Sequence, residues 1–277
     1  MTARELARMS ARRFQYAGVP DAALDAQLLI CHVLKLSRAQ LVLDGDRELT
    51  ADEQAACEAL LARREKREPL QYILGEQWFF GRRFFVGSGV LIPRFDTEIL
   101  VQQALTLLEG KKSPRVLDVC TGSGIIGLTV KAERPDAVVT LSDLSETALS
   151  LARRNAVLLG LDVAFVQGDM LRPFVDASFD AILCNPPYIP TAVCDTLQEE
   201  VLREPRLALD GGADGLDFYR TLADAAPRCL KPDGVLVMEI GYDQGNSVPA
   251  LFSGWNDVSV SLDMNQQCRV VSARKRS

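Results

Sequence analysis

The sequence predicts an α/β protein in which a small helical domain precedes a doubly wound, mostly parallel sheet of seven strands. Three observations carry this expectation. From Arg115 onward, apolar strand-like runs alternate with helical stretches, the signature of a parallel sheet whose crossovers are helices. One run opens into a glycine-rich turn, and another ends in Asn185, Pro186, Pro187 and Tyr188. Before all of these, residues 1 to about 70 read as helix alone.

In chain order, Thr2 with Glu5 and Thr50 with Glu53 match the capping box, in which side chains satisfy the first orphan amides of a helix. Leu24, Leu28 and Cys31 repeat at helical spacing, and Pro69 stops the last helix after the charged run 63–68, read as a solvated face. These features delimit a helical domain over residues 1–73. Residues 74–92 carry Trp78, Phe79, Phe80, Phe84 and Phe85 between glycines, which fits a β-hairpin linker or an irregular segment. Packing between two lobes is the simpler use of these aromatics, ahead of a base-stacking platform. Residues 93–277 form the larger domain. Its strands are expected at 116–119, 138–143, 163–166, 179–184 and 234–241, with a closing antiparallel pair at 258–262 and 269–273. Helices are expected at 145–160 and 216–230.

Chemistry concentrates at the carboxyl ends of these strands, where open α/β sheets bind ligands. Pro186 and Pro187 have no backbone N–H, so the loop after strand 179–184 presents acceptors with few competing donors. A planar –NH2 group suits such a rim: the Asn185 side-chain oxygen and the Pro186 carbonyl each take one hydrogen, and Tyr188 offers a flat face. By itself a Pro-rich turn is the plainer explanation. The companion is the loop Cys120, Thr121, Gly122, Ser123 and Gly124, which with Gly127 spells G-x-G-x-x-G. Asp143 ends the next strand, where a carboxylate accepts the ribose hydroxyls of a nucleoside cofactor. Asp169, followed by Met170, puts a further carboxylate at the same rim, suited to an adenine amino group. Asp118 can be a brace for the loop or a ligand contact, and the spacing does not decide between them.

Composition limits the alternatives. The 277 residues are 48% apolar and 25% charged, as in an ordinary globule, and the net charge of -6 disfavours binding to duplex phosphates. The tail Arg274, Lys275 and Arg276 reads as a solvated end. The 7 cysteines lack any C-x-x-C pair, so neither a disulfide framework nor a zinc site is suggested, and no metal is expected. His32 stands among Leu28, Leu29 and Val33 without a second ligand at metal spacing, which favours a structural role. The amino terminus lacks an apolar core, and no apolar run approaches the ~20 residues of a membrane span. The expectation is a reduced, cytoplasmic, soluble protein.

Together the glycine loop, the acidic strand end and the Asn-Pro-Pro-Tyr rim resemble those of S-adenosylmethionine-dependent methyltransferases acting on a planar amino nitrogen. The segment Leu91, Ile92, Pro93, Arg94, Phe95, Asp96, Thr97 and Glu98, the aromatic tract before it and the helical amino-terminal region are similar to the peptide chain release factor glutamine N5-methyltransferase family across nearly the whole chain. The resemblance implies a methyltransferase sheet and S-adenosyl-L-methionine as cofactor. It implies that Cys120, Thr121, Gly122, Ser123 and Gly124 wrap the methionine part, that Asp143 holds the ribose, and that Asp169 and Met170 border the adenine. It also implies that Asn185, Pro186, Pro187 and Tyr188 bind the substrate glutamine, with Asn185, Pro186 and Tyr188 catalytic and Asn185 also near the cofactor. The implied partners are class I release factors, met by a monomer without membrane or direct nucleic-acid contact. The chain departs from the family at Cys120 and Phe95, where Gly and Pro are frequent, and at Met170, where an aromatic is common. A cysteine at position 120 is tolerable if its φ is negative. Arg94 and Glu98 are candidates for the substrate mouth.

Three functions from different classes remain in view. A glutamine methyltransferase uses the rim for one amide. An adenine amino-methyltransferase uses the same rim, but would want a basic groove or an appended target-reading domain. An NAD-type oxidoreductase would want an acid/base such as His or a Tyr-x-x-x-Lys pair, and no tyrosine here has a lysine four residues later. A cofactor-binding but inactive adaptor would have no use for an intact acceptor rim.

Overall fold

The computed structural model describes residues 1–174 and 177–276, and its contacts divide them into two units. Met1–Glu76 and Gln198–Arg203 form the first, Gln77–Leu197 and Glu204–Ser277 the second. The boundary falls inside the hairpin, between Glu76 and Gln77, and a short segment from far along the chain belongs to the first unit.

The first unit contains α1 (Ala3–Tyr16), α2 (Ala22–Leu34), α3 (Arg38–Asp44), α4 (Ala51–Glu65) and α5 (Leu70–Leu74). Both expected capping boxes form reciprocally, and Ser37 with Gln40 makes another at the start of α3. Each such cap contributes about 1 kcal/mol. Leu6, Phe14, Leu29, Ile30 and Leu61 are fully buried in the core. The buried face of α2 carries Ala22, Asp25, Ala26, Leu29, Ile30 and Cys31; of the expected line, Cys31 is buried, Leu28 packs against the core and Leu24 is exposed.

Residues 63–68 are not a uniformly solvated face. Arg63 does pair at the surface with Glu68, but Arg64 is only 4% exposed and holds Asp25, itself 5% exposed, at 2.7 Å. Its other nitrogen reaches Glu200 at 2.9 Å, and Glu200 also pairs with Arg67 at 2.5 Å. Burial pushes the Asp25 carboxyl up and the Arg64 hydrogen bond pulls it back.

The second unit opens with the hairpin of β1 (Glu76–Phe79) and β2 (Arg82–Phe85). Its two-residue turn, Phe80-Gly81, has φ of 49° and 71°, the mirror-image turn that matches strand twist. Phe79 and Phe84 are buried edge to face in this unit's own core, and Trp78 is exposed, so the aromatics are not a set reserved for packing between lobes.

The rest alternates as expected: α6 (Glu98–Leu107), β3 (Arg115–Val119), α7 (Ile125–Glu133), β4 (Val138–Asp143), α8 (Glu146–Leu159), β5 (Ala164–Gln167), β6 (Phe179–Cys184), α9 (Thr191–Cys194), α10 (Asp217–Cys229), β7 (Leu230–Glu239), α11 (Ser247–Leu251), β8 (Asn256–Leu262) and β9 (Cys268–Arg274). The sheet order is β5-β4-β3-β6-β7-β9-β8, parallel through β7, with β9 running against both of its neighbours, β7 and β8. Val116, Ala181 and Val235 face a core with α6, α7 and α8, while Leu117, Ile182 and Leu236 face a core with α10 and α11. That alternation is why the strands read as continuous apolar runs. The chain leaves β3 for β4 on one side and returns with β6 on the other, so the crevice opens above the carboxyl ends of β3 and β6.

Two features shape the turn out of β3. Cys120 has φ of 57°, in the left-handed region, so the condition for an unstrained cysteine there is not met; such a residue costs on the order of 1–3 kcal/mol. Gly127 permits α7 to lie against the sheet, because a Cβ there would come within 2.1 Å of Leu141. Asp118, fully buried, ties the turn together: its Oδ2 accepts the Thr121 hydroxyl at 2.5 Å and the Gly127 amide at 2.9 Å, while Oδ1 has no partner. It is a brace.

Two predictions follow from these buried charges. Arg64→Leu should destabilise the protein by about 3–5 kcal/mol in urea unfolding, because Asp25 is left buried and unpaired, and adding Asp25→Leu should recover most of that loss. Equal losses in the single and double variants would contradict this. Burial pushes the Asp118 carboxyl from its ordinary 3.8 up to about 7. The folded chain therefore keeps a proton that the unfolded chain gives up across that window, and this site's contribution to stability falls as pH rises through it. Asp118→Asn cannot ionise, so its stability relative to the native chain should improve between about pH 4 and pH 7 and level off above; a difference independent of pH would refute the assignment.

Candidate active site

A cavity of about 400 Å³ lies along the carboxyl edge of the sheet, entirely within the second unit. Cys120, Thr121, Gly122 and Ser123 line it from the β3 turn; Gly124 stands behind, at the N-cap of α7 with φ of 86°, where a Cβ would come within 2.9 Å of Leu128. The Cys120 thiol lies 3.5 Å from the Met170 sulfur, and both residues line the cavity. Met170 also has a positive φ, 49°, and is buried, so the thioether fills the place with soft apolar surface.

Asp143 borders the cavity from the end of β4. Its Oδ2 accepts the Gly122 amide and its Oδ1 the Ser145 amide, each at 2.9 Å. Burial pushes the carboxyl up, and these amides hold it down. Each oxygen keeps a further lone pair, so the group can accept two hydroxyls at once. Asp169 lines the same wall, paired with Arg172 at 2.8 Å.

Asn185 and Pro187 form the opposite rim. Asn185 donates from Nδ2 to the Thr97 hydroxyl at 3.3 Å, which leaves its carbonyl oxygen for the cavity. Pro186 is buried behind it. The Tyr188 hydroxyl points to Glu239 Oε1 at 3.4 Å, and burial, with that carboxylate beside it, pushes the phenol pKa well above its ordinary value. Gln244 holds the Tyr188 carbonyl at 3.1 Å, and Gly211 lets a neighbouring loop approach, since a Cβ there would meet Tyr188 Cα at 2.7 Å. The rim is clamped from two sides.

Of the other expected residues, Arg94 lines the cavity and pairs with the buried carboxylate of Glu204, whose second oxygen accepts the Ile92 amide at 2.8 Å. Glu98 faces elsewhere: it accepts the Phe80 amide at 2.7 Å, because the hairpin turn leaves that donor free. Phe95 is exposed at the start of a 3-10 turn, Phe95–Thr97, whose first position a proline would also suit. His32 lies in α2, and burial holds its imidazole below the ordinary value. Among the described residues no cluster of three His, Cys, Asp or Glu is set to hold a metal, and no single helix is long and apolar enough to cross a membrane.

Sequence reasoning passed over Thr97 and Glu239. A carboxylate inside the apolar run from Val235 to Ile240 was the signal, since such a charge is costly in a central strand unless it serves a purpose.

Comparison with known proteins agrees with this geometry. A family described as the PrmC N-terminal domain matches residues 5–75, and the methyltransferase small domain matches residues 87–214. The chain is 45% identical over 260 residues to the release factor glutamine methyltransferase of Geobacter sulfurreducens, covering 93% of this chain and 91% of that one. It is 42% identical over 277 residues to the protein of the same name from Deinococcus radiodurans, covering 99% of each. The crystal structure of a methyltransferase from Pyrococcus furiosus shares the fold at a TM-score of 0.52 and 18% identity, covering 72% of this chain and 91% of that one. A carboxylate-lined cavity facing an Asn-Pro-Pro-Tyr rim, with these relatives matching both units end to end, places the chain in the release factor glutamine methyltransferase family.

Proposed function

We propose that the protein transfers a methyl group from S-adenosyl-L-methionine to the side-chain amide nitrogen, N5, of the glutamine in the Gly-Gly-Gln motif of class I release factors. The observation that carries this reading is Asn185, whose amide group is tied to Thr97 through nitrogen and so turns an acceptor toward the cavity that Asp143 borders. The donor set suits the cofactor. Asp143 has acceptor capacity left for two ribose hydroxyls, Cys120, Thr121, Gly122 and Ser123 surround room for the methionine part, and Asp169 with Met170 borders the place for adenine. When bound, the cofactor supplies a methyl already activated on a sulfonium.

The remaining work falls to the rim. An amide nitrogen is a poor nucleophile because its lone pair is delocalised into the carbonyl. Asn185 Oδ1 and the Pro186 carbonyl take one hydrogen each, which raises electron density on nitrogen and orients it, and both contacts strengthen as positive charge develops there. Pro187 and the ring of Tyr188 border the glutamine and help exclude water. No strong base is required, since the methylated amide is acidic enough to lose its proton to a neighbour or to water. The first unit is assigned to release factor docking, in keeping with its match to the amino-terminal domain of this family. The net charge of -6 fits a protein partner better than a nucleic acid, and the reading takes the enzyme to be a cytoplasmic monomer.

Incubation with labelled cofactor and either a class I release factor or an adenine-containing oligonucleotide, followed by mass spectrometry, tests the substrate. Label is expected on the release factor glutamine; label on the oligonucleotide alone would transfer the chain to the base-methylating class. Asn185→Ala should keep cofactor affinity while lowering turnover by ~100-fold, the scale of one preorganised transition-state contact. Turnover near the native rate would remove Asn185 from the reaction.

A further inference from the structure

We infer that Thr97 and Glu239 are positioning residues for methyl transfer, fixing which end of the Asn185 amide faces the substrate. The inference rests on the reading in which Asn185 accepts a hydrogen from the substrate amide, and it assigns that polarity to a two-residue relay.

The register of the sheet sets up the relay. Cys184 at the end of β6 pairs with Met238 on β7, so the next residues, Asn185 and Glu239, emerge side by side at the carboxyl edge. Glu239 is 1% exposed. Its Oε2 accepts the Thr97 hydroxyl at 2.5 Å and its Oε1 the Tyr188 hydroxyl at 3.4 Å. Thr97, equally buried, receives the Asn185 Nδ2 at 3.3 Å. Tyr219 holds the same stretch of backbone from below, donating to the Glu239 carbonyl at 2.8 Å. The cation that acts on Glu239, Arg269, bonds to Asp263 at 3.0 Å and Asp96 at 3.2 Å. Glu239 therefore has two hydroxyls as its direct partners, and both connect to the substrate rim.

Proton counting then determines the direction of each bond. Burial pushes the Glu239 carboxyl up, while the Thr97 hydroxyl and Arg269 hold it down; in its ionised form the carboxylate only accepts, and the single Thr97 proton is then committed to it. The Thr97 oxygen is left with lone pairs alone, and the neighbouring amide must meet it with Nδ2. The two ends of an asparagine amide are nearly equal in shape, so it is the hydrogen-bond network that selects between them. With the nitrogen held by Thr97, the oxygen faces the cavity. Without the relay the amide can turn and present N–H to an incoming –NH2, which is a repulsive pairing. A buried carboxylate is a poor choice for stability at the end of an apolar strand, and an apolar residue would serve the fold better. The polarity that it imposes on Thr97 and Asn185 gives it a use there.

The test is a cycle on the full-length enzyme. Thr97→Val keeps shape but removes the hydroxyl, Thr97→Ser restores it, and Glu239→Gln keeps shape while supplying a competing donor. Turnover and KM are measured with a release factor, cofactor affinity by calorimetry, and folding by thermal melting. Thr97→Val and Glu239→Gln should each lower kcat by at least ~10-fold with cofactor affinity within about twofold of native, and Thr97→Ser should recover most of the loss. Because the relay acts through Asn185, adding Thr97→Val to Asn185→Ala should cost little further. Should Thr97→Val fail to fold, Glu239→Gln carries the same comparison. Native turnover in the hydroxyl-free and Glu239→Gln variants, or losses that add in full to that of Asn185→Ala, would overturn the relay while leaving Asn185 in place. Native turnover in Asn185→Ala would overturn the relay and the reading beneath it together.

Discussion

The parallel register of β3, β6 and β7 is the constraint on which the site depends. The five adjacent strands from β5 to β7 run the same way, so their carboxyl ends share one edge, and Cys120, Asp143, Asn185 and Glu239 all lie at that edge. The Val119–Cys184 and Cys184–Met238 pairings bring three strand ends into line, and with them the turn at Cys120, the Asn185 rim and Glu239. A one-residue slip of β6 would turn Asn185 to the other face of the sheet and separate it from Thr97. Apolar strands buried on both faces make such a slip costly. Precision at the site is thus a consequence of the core.

Polar groups at that edge are handled in two ways. Asp143 keeps spare acceptor capacity and borders the cavity, whereas Asp118 and Glu239 are sealed behind it and spend theirs on the backbone and on hydroxyls. The sealed carboxylates cost stability, as does the left-handed backbone at Cys120. Strain and buried charge that gather on one rim of an otherwise ordinary core are the pattern expected where the fold yields to function.

Much of this was legible in the residues. Strands β4 and β6 fall where their apolar runs end, because Asp143 and Asn185 interrupt them sharply. The capping boxes were legible because each is a reciprocal bond between two residues of fixed spacing. The face of α2 was legible only in part, since Cys31 is buried and Leu28 packs against the core while Leu24 is exposed and the small Ala22 and Ala26 are buried. Arg64 was hidden for a related reason: a run of alternating charges looks solvated until a distant acid, Asp25 or Glu200, supplies a buried partner. Gly124, Pro186 and Tyr188 are not among the residues that line the cavity, a distinction of backbone direction that residue type alone does not carry. Thr97 and Glu239 belong to segments far apart in sequence, and only the sheet register brings them to Asn185.

The central claim is a geometric one about a single nitrogen atom. It is tested most directly by a crystal structure of the enzyme with the demethylated product form of the cofactor and a peptide containing Gly-Gly-Gln. The account predicts the glutamine amide nitrogen within about 3 Å of both Asn185 Oδ1 and the Pro186 carbonyl, facing the cofactor sulfur, with Asn185 Nδ2 still on Thr97. A glutamine bound away from this rim, or one met there by Nδ2 instead of the oxygen, would contradict it.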